Sequence, residues 1–234
     1  MAYTEPMLGT VAAADAETRS AFLIRVYQHL ALAVAAFVVF ETVLFVTGIA
    51  ERLAIFLFGT GGVAWLLVLG GFTVVSMIST RSAANMHNVQ AQYLGLFALA
   101  LAEALIFAPF LYQAFNQDGG EGTVVSAAVV TGVGFGALSL VAFTTRKDLS
   151  FLRPLIMWGS IVAIGLIVVA VLFGLQLGAL FSVAMIGLAG ASILYQTQTI
   201  IRRYPQWAHV SAAVSLFASL MMLFWYVLRL FMRR

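Results

Sequence analysis

Two glutamates stand in apolar surroundings. Glu103 lies in Ala102-Glu103-Ala104-Leu105 and Glu41 in Phe40-Glu41-Thr42, each well inside a long run of hydrophobic residues. An ionisable group buried in hydrocarbon is costly and is a functional candidate by default. Two such carboxylates, if they faced each other, would share a proton and could bind a cation. The plain alternative is that each is protonated, or bonded to a hydroxyl or backbone group, and simply holds helices together. Other chemistry is poorly supplied. The chain has no cysteine, which excludes disulfides, thiolate metal sites and cysteine nucleophiles. His29, His87 and His209 lie in different segments without ligand spacing. No serine–histidine, paired-aspartate or zinc arrangement is visible, and the apolar runs contain no aspartate. An enzyme is not expected, nor is a cofactor.

The elements that must position these glutamates follow from composition. Of 234 residues, 63% are hydrophobic and 9% charged. A soluble domain is nearer 45–50% apolar and about 25% charged. The mean hydropathy of +1.04 agrees. The predicted fold is all-α: one domain, 27–234, crossing a bilayer as seven helices, after a short tail over 1–26. The runs are 27–49, 54–78, 90–114, 124–144, 154–173, 178–200 and 208–231, each close to the 20 residues a span requires. Barrel strands would alternate apolar and polar over about 10 residues; these runs are apolar throughout. Polar breaks separate them: Glu51-Arg52, Arg81 to Asn88, Asn116 to Gly122, Arg146-Lys147-Asp148, and Arg202-Arg203 with Pro205. Pro154 suits the first turn of a helix. The cut at Gly174–Gly178 is the weakest, and one re-entrant element there is the alternative.

Counted from the starts of their runs, Glu41 and Glu103 fall about 13–14 residues in, roughly 20 Å at 1.5 Å per residue. They are therefore expected at one depth. Residues 1–20 carry Glu5, Asp15 and Glu17 and lack the basic start and apolar run of a signal peptide; a mobile tail is expected. Basic residues, though the pI is near 9.5, form no dense patch for nucleic acid. They sit at run ends, as topology requires. Arg19, Arg25, Arg81, Arg146, Lys147, Arg153, Arg202 and Arg203 fall on one side, against Arg52, Arg229, Arg233 and Arg234 on the other. That bias puts the N-terminus in the cytoplasm. The basic C-terminus favours a six-span alternative. Short loops and tails suit a bacterial inner membrane. Gly70-Gly71, Gly132-x-Gly134-x-Gly136 and Gly187 with Gly190 suggest close helix packing. No phosphate loop is expected at Gly132–Gly136, because no strand precedes it and no lysine follows. Phe224-Trp225-Tyr226 reads as an aromatic belt, and His209 as an interfacial residue.

Several stretches carry a resemblance. Phe143-Thr144-Thr145-Arg146-Lys147-Asp148-Leu149-Ser150-Phe151-Leu152 resembles the signature of the Bax-inhibitor (transmembrane Bax-inhibitor-motif) family. Phe22-Leu23-Ile24-Arg25-Val26-Tyr27 is similar to that family's entry into its first helix. Ile193-Leu194-Tyr195-Gln196-Thr197-Gln198 is similar to its sixth-helix motif. Ser215-Leu216-Phe217 and Leu228-Arg229-Leu230-Phe231 are similar to its last helix. The matches occur in order along nearly the whole chain. The resemblance implies seven helices, with a central hairpin-like helix enclosed by the other six.

It also implies a pH-sensitive calcium leak that depends on an aspartate in the sixth helix and another in the seventh, latched by an arginine near the end of the second. Here Gln196 and Ser219 stand at the acidic positions, Met222 replaces a nearby asparagine, and Arg81 matches the arginine. Glutamine and serine can bond to each other, but neither titrates near neutral pH. The expectation is a passive cation leak, calcium- or proton-linked, with Glu103 as its principal titrating group and Glu41 as a second candidate. The alternative is a non-transporting membrane protein that modulates a membrane-anchored ATP-dependent quality-control protease or a stress response. Arg81 is either a surface anchor or a partner of the groups around Gln196. Asp148 either pairs locally or contacts a gate. Local hydrogen bonding is the default for Gln196 and Gln198.

Overall fold

The computed structural model describes residues 9–60, 62–85, 88–145 and 147–232. Glu5, His87, Arg146, Arg233 and Arg234 lie outside the described residues. In hydrocarbon every backbone donor must be satisfied within its own segment, so apolar runs become helices. Among the described residues there are eight helical segments: α1 (Ala16–Val46), α2 (Ile49–Thr60), α3 (Gly62–Ala83), α4 (Val89–Phe115), α5 (Gly120–Thr144), α6 (Leu152–Phe173), α7 (Ala179–Arg203) and α8 (His209–Phe231). Seven are long and apolar enough to cross a membrane; α2, with 12 residues, is the exception. The run expected over 54–78 lies in α2 and α3, which flank residue 61, outside the described residues.

Helix ends follow local chemistry. Asp15 caps α1 by accepting the Thr18 N–H at 2.8 Å, and Glu17 lies in its positively polarised first turn. The helix therefore starts at Ala16, well before the apolar run. The bond from Thr18 holds the exposed Asp15 carboxyl below the ordinary carboxylate range. Asn88 caps α4 through Ala91 N–H at 3.0 Å. Pro154 falls in the first turn of α6, where its missing N–H would have had no partner. Gly174 ends α6 at φ +65°, a conformation that favours glycine. The segment 174–178 is thus a true loop between two spans.

Residues before α1 are not loose from Gly9 onward. Val11 donates its N–H to Tyr204 O at 2.9 Å, and its side chain is fully buried. Arg19 donates to Ala12 O at 3.0 Å. This segment seals the end of the bundle where α7 turns into α8.

Two helices share the interior, where a single central one was expected. Of the most apolar stretch of α4 and of α8, 67% is buried; in the other spans 39% or less is. The remaining helices surround this pair. One end of the bundle, the basic end, holds the start of α1, the end of α3, the α5–α6 turn and the α7–α8 turn. The other carries α2, the α4–α5 turn and the α6–α7 loop. The expected glycine packing is mostly absent. A Cβ at Gly70, Gly71, Gly132, Gly136 or Gly187 would meet nothing within 4 Å, and only Gly190 is tight, 3.3 Å from Leu138. A close crossing of two spans lies instead at Gly95 on α4, which faces the backbone of Ser79 and Ala83 on α3.

Candidate functional site

Glu103 is buried on α4 and forms part of the wall of a cavity of about 1160 Å³ between α3, α4, α6 and α8. The cavity begins near mid-bundle at Ser76 and Ala218. It extends to the α6–α7 loop at Gln176 and Leu177 and to Arg229, at the end opposite the basic one. Arg229 reaches Leu177 O at 3.4 Å. Aromatic rings line the passage between: Phe110 lies 4.2 Å from Trp225 and 4.8 Å from Trp65, centroid to centroid. Phe224 stacks on Phe107 at 5.4 Å. The trio Phe224-Trp225-Tyr226 is therefore an interior feature and not a belt. Position near a helix end suggested a belt, but α8 is central, so its rings meet α4 and not headgroups. A buried acid and aromatic rings lining one cavity are the kinds of group that can attract a partly dehydrated cation.

Glu41 occupies separate space. It lines a groove of about 560 Å³ whose floor is α4 and α8 and whose sides are α1 and α5. Both of its carboxylate oxygens are buried without a hydrogen-bond partner among the described residues. The two glutamates do not share a depth. Phe37 packs on Phe107 at 5.4 Å, and Phe45 packs on Tyr112 and Phe115. Glu41, between Phe37 and Phe45, is thus level with the stretch from Phe107 to Tyr112, about a turn or more beyond Glu103. Met221 lines both spaces and forms part of the partition between them.

Nearer the basic end, α7 places alternate side chains on two neighbours. Ser219 on α8 donates its hydroxyl to Gln196 Oε1 at 3.0 Å. The pair at the latch position is brought together as a neutral bond. Arg81 is exposed in the last turn of α3. Gln198 is buried and turns the other way, accepting Leu149 N–H at 2.7 Å and donating to Lys147 O at 2.8 Å. Its amide replaces two backbone partners that the α5–α6 turn lacks. Asp148 in that turn accepts Ser150 N–H at 3.0 Å and lies 3.8 Å from Arg202. The Ser150 bonds, and to a lesser degree the two arginines 202 and 203, hold its exposed carboxyl below the ordinary range. We expect Gln198→Leu to cost about 1 kcal/mol, since it leaves the half-buried Leu149 N–H without its partner, while Lys147 O keeps Arg202 at 3.4 Å. A lower melting temperature with faster proteolysis at Lys147 would register it; unchanged values would show the turn to be held otherwise.

Folding also joins two histidines that the sequence kept apart. The rings of His29 and His209 meet edge to face at 4.8 Å, and His29 Nε2 bonds Tyr93 Oη at 2.9 Å. No local spacing could have revealed this, because α1, α4 and α8 each contribute one residue. Among the described residues no group of three or more histidine, aspartate and glutamate side chains could hold a metal ion.

Comparison with known sequences extends the picture. The sequence model of a family described as "Inhibitor of apoptosis-promoting Bax1" matches residues 19–234. Protein LIFEGUARD 4 of Arabidopsis thaliana is 30% identical over 224 residues, covering 92% of this chain and 85% of the plant protein. Protein LIFEGUARD 3 of the same plant is 30% identical over 234 residues, covering 95% and 88%. An uncharacterized protein of Pseudomonas aeruginosa is 34% identical over 138 residues, 58% of this chain. That alignment spans 61% of the Pseudomonas protein's length.

Proposed function

Because the chain belongs to the family of inhibitors of apoptosis-promoting Bax1, and is a helical integral membrane protein, we propose that it is a passive cation leak, for calcium or protons, whose path passes Glu103. The observation that carries this reading is the buried Glu103 in the wall of an aromatic-lined cavity that reaches one end of the bundle. The Ser219–Gln196 bond closes the interior toward the basic end, and no covalent chemistry is involved. We place that end in the cytoplasm of a bacterial inner membrane. Arg19, Arg25, Arg81, Lys147, Arg153, Arg202 and Arg203 gather there, against Arg52 and Arg229 at the other end among the described residues.

The test is calcium and proton flux into proteoliposomes of the purified protein. Glu103→Gln keeps the shape but removes the charge. It is expected to slow flux about tenfold, the equivalent of ~1.4 kcal/mol on the barrier. Equal rates would take Glu103 out of the path. Absence of flux from the wild type would favour the other reading: a membrane protein that modulates an anchored ATP-dependent protease or a stress response.

A further inference from the structure

The groove that holds Glu41 lies outside the cavity along which the leak is proposed to pass. Its separation from the Glu103 cavity, its size and its single acid together point to a ligand of its own. At about 560 Å³ it falls within the range of small-molecule sites, which are mostly apolar with a few placed polar groups. Its walls are apolar side chains such as Val34, Phe45, Phe115 and Val124, with the hydroxyls of Thr42 and Thr131 nearby. Those hydroxyls are already donated, to Val38 O at 2.8 Å and to Ala127 O at 2.7 Å, so each still has lone pairs to accept with.

Glu41 supplies the specificity. Its two oxygens are buried and have no partner among the described residues, so turning the carboxylate toward the groove breaks no hydrogen bond. A buried polar group without a partner calls for an explanation, and one unpaired acid is met best by one donor-rich cation. The position fits an amphiphile. Glu41 lies five residues from the end of α1 at Val46, about 7.5 Å along the axis. The neighbouring walls run on to Phe115, the last residue of α4.

We propose that this groove binds a lipophilic amine, a single protonated ammonium on an apolar body, through an ion pair between the ammonium and the Glu41 carboxylate. The apolar body lies along α1 and α5 and displaces lipid. Thr42 and Thr131 accept the ammonium protons that Glu41 does not. The site is independent of the leak and does not require that the protein conduct ions.

The test uses purified full-length protein in nanodiscs of phosphatidylcholine, with radiolabelled dodecylamine as the probe. Saturable binding is expected in the wild type. Dodecanol, with the same chain and no charge, should fail to compete. Glu41→Gln should weaken binding about tenfold or more, as loss of a charge-assisted bond does. Ala128→Phe fills the groove from its exposed α5 wall and leaves Glu41 in place. It should block binding while the melting temperature stays unchanged, which guards against a folding artefact. Binding that is unsaturable, that dodecanol displaces equally well, or that survives both substitutions would overturn the proposal.

Discussion

Gly95→Val is expected to be among the most damaging single substitutions in the molecule, costing about 3 kcal/mol through overpacking that the backbone cannot relieve. Gly95 is buried where α4 crosses α3. A Cβ built there collides with Ser79 O and comes within 2.9 Å of Ala83 N and 3.2 Å of Ser82 Cβ. Two of these obstacles are backbone atoms, so no side-chain rotation clears them. Ser79 and Ala83 are themselves small and one turn apart, which lets the two backbones approach. Such small-residue crossings substitute for the hydrophobic effect where lipid is as apolar as the side chains. The crossing also supports the site, because α3 and α4 together carry Ser76 and Glu103. Melting temperature and monodispersity in detergent are the measurements. The control is Gly136→Ala on α5, which meets nothing within 4 Å and should change neither. A Gly95→Val protein as stable as that control would show that the crossing can open without loss.

The contrast between Gly95 and the glycines flagged by the sequence shows what pattern reading can see. Gly70-Gly71 and Gly132-x-Gly134-x-Gly136 drew notice because they repeat, yet most face open space. Gly95 is isolated in sequence and acquires its meaning only from α3 folding against it. Hydropathy located the spans well, since the length of an apolar run is a local property. It failed where an answer depends on capping or on neighbours. Asp15 starts α1 at Ala16, so counting depth from residue 27 set Glu41 level with Glu103 when it lies beyond it. The position of Trp225 near a helix end suggested an interface, whereas the centrality of α8 places it against Phe107 and Phe110. The partnership of Gln196 with Ser219 was legible once the family motifs were aligned, because the resemblance itself encodes a long-range contact. That of His29 with His209 was not, because nothing local links α1 to α8.

Ser219 Oγ donates to Gln196 Oε1 at 3.0 Å, and neither group changes charge near neutral pH. This bond should therefore be indifferent to pH. Gln196→Asp combined with Ser219→Asp would put two carboxyl groups in the same small space. Like charges about 3 Å apart cannot both ionise cheaply; at an effective dielectric of 20 their repulsion is about 5 kcal/mol. The pair should hold one shared proton and stay closed, then lose it as pH rises and be driven apart. Calcium flux in proteoliposomes of the double variant should climb steeply between roughly pH 5 and pH 9, relative to the wild-type profile. Either single substitution leaves one carboxylate beside a neutral partner, so neither alone should reproduce the climb; the effect belongs to the pair. A second readout does not depend on conduction. The folded double variant retains a proton that the unfolded chain releases, so its stability is full at low pH and declines as pH rises through that window. The melting temperature should fall accordingly, while the wild-type pair contributes no such slope. If the double variant melts and conducts with the wild-type pH profile, the two side chains are not confined together, and the bond between α7 and α8 is not the closure of the path.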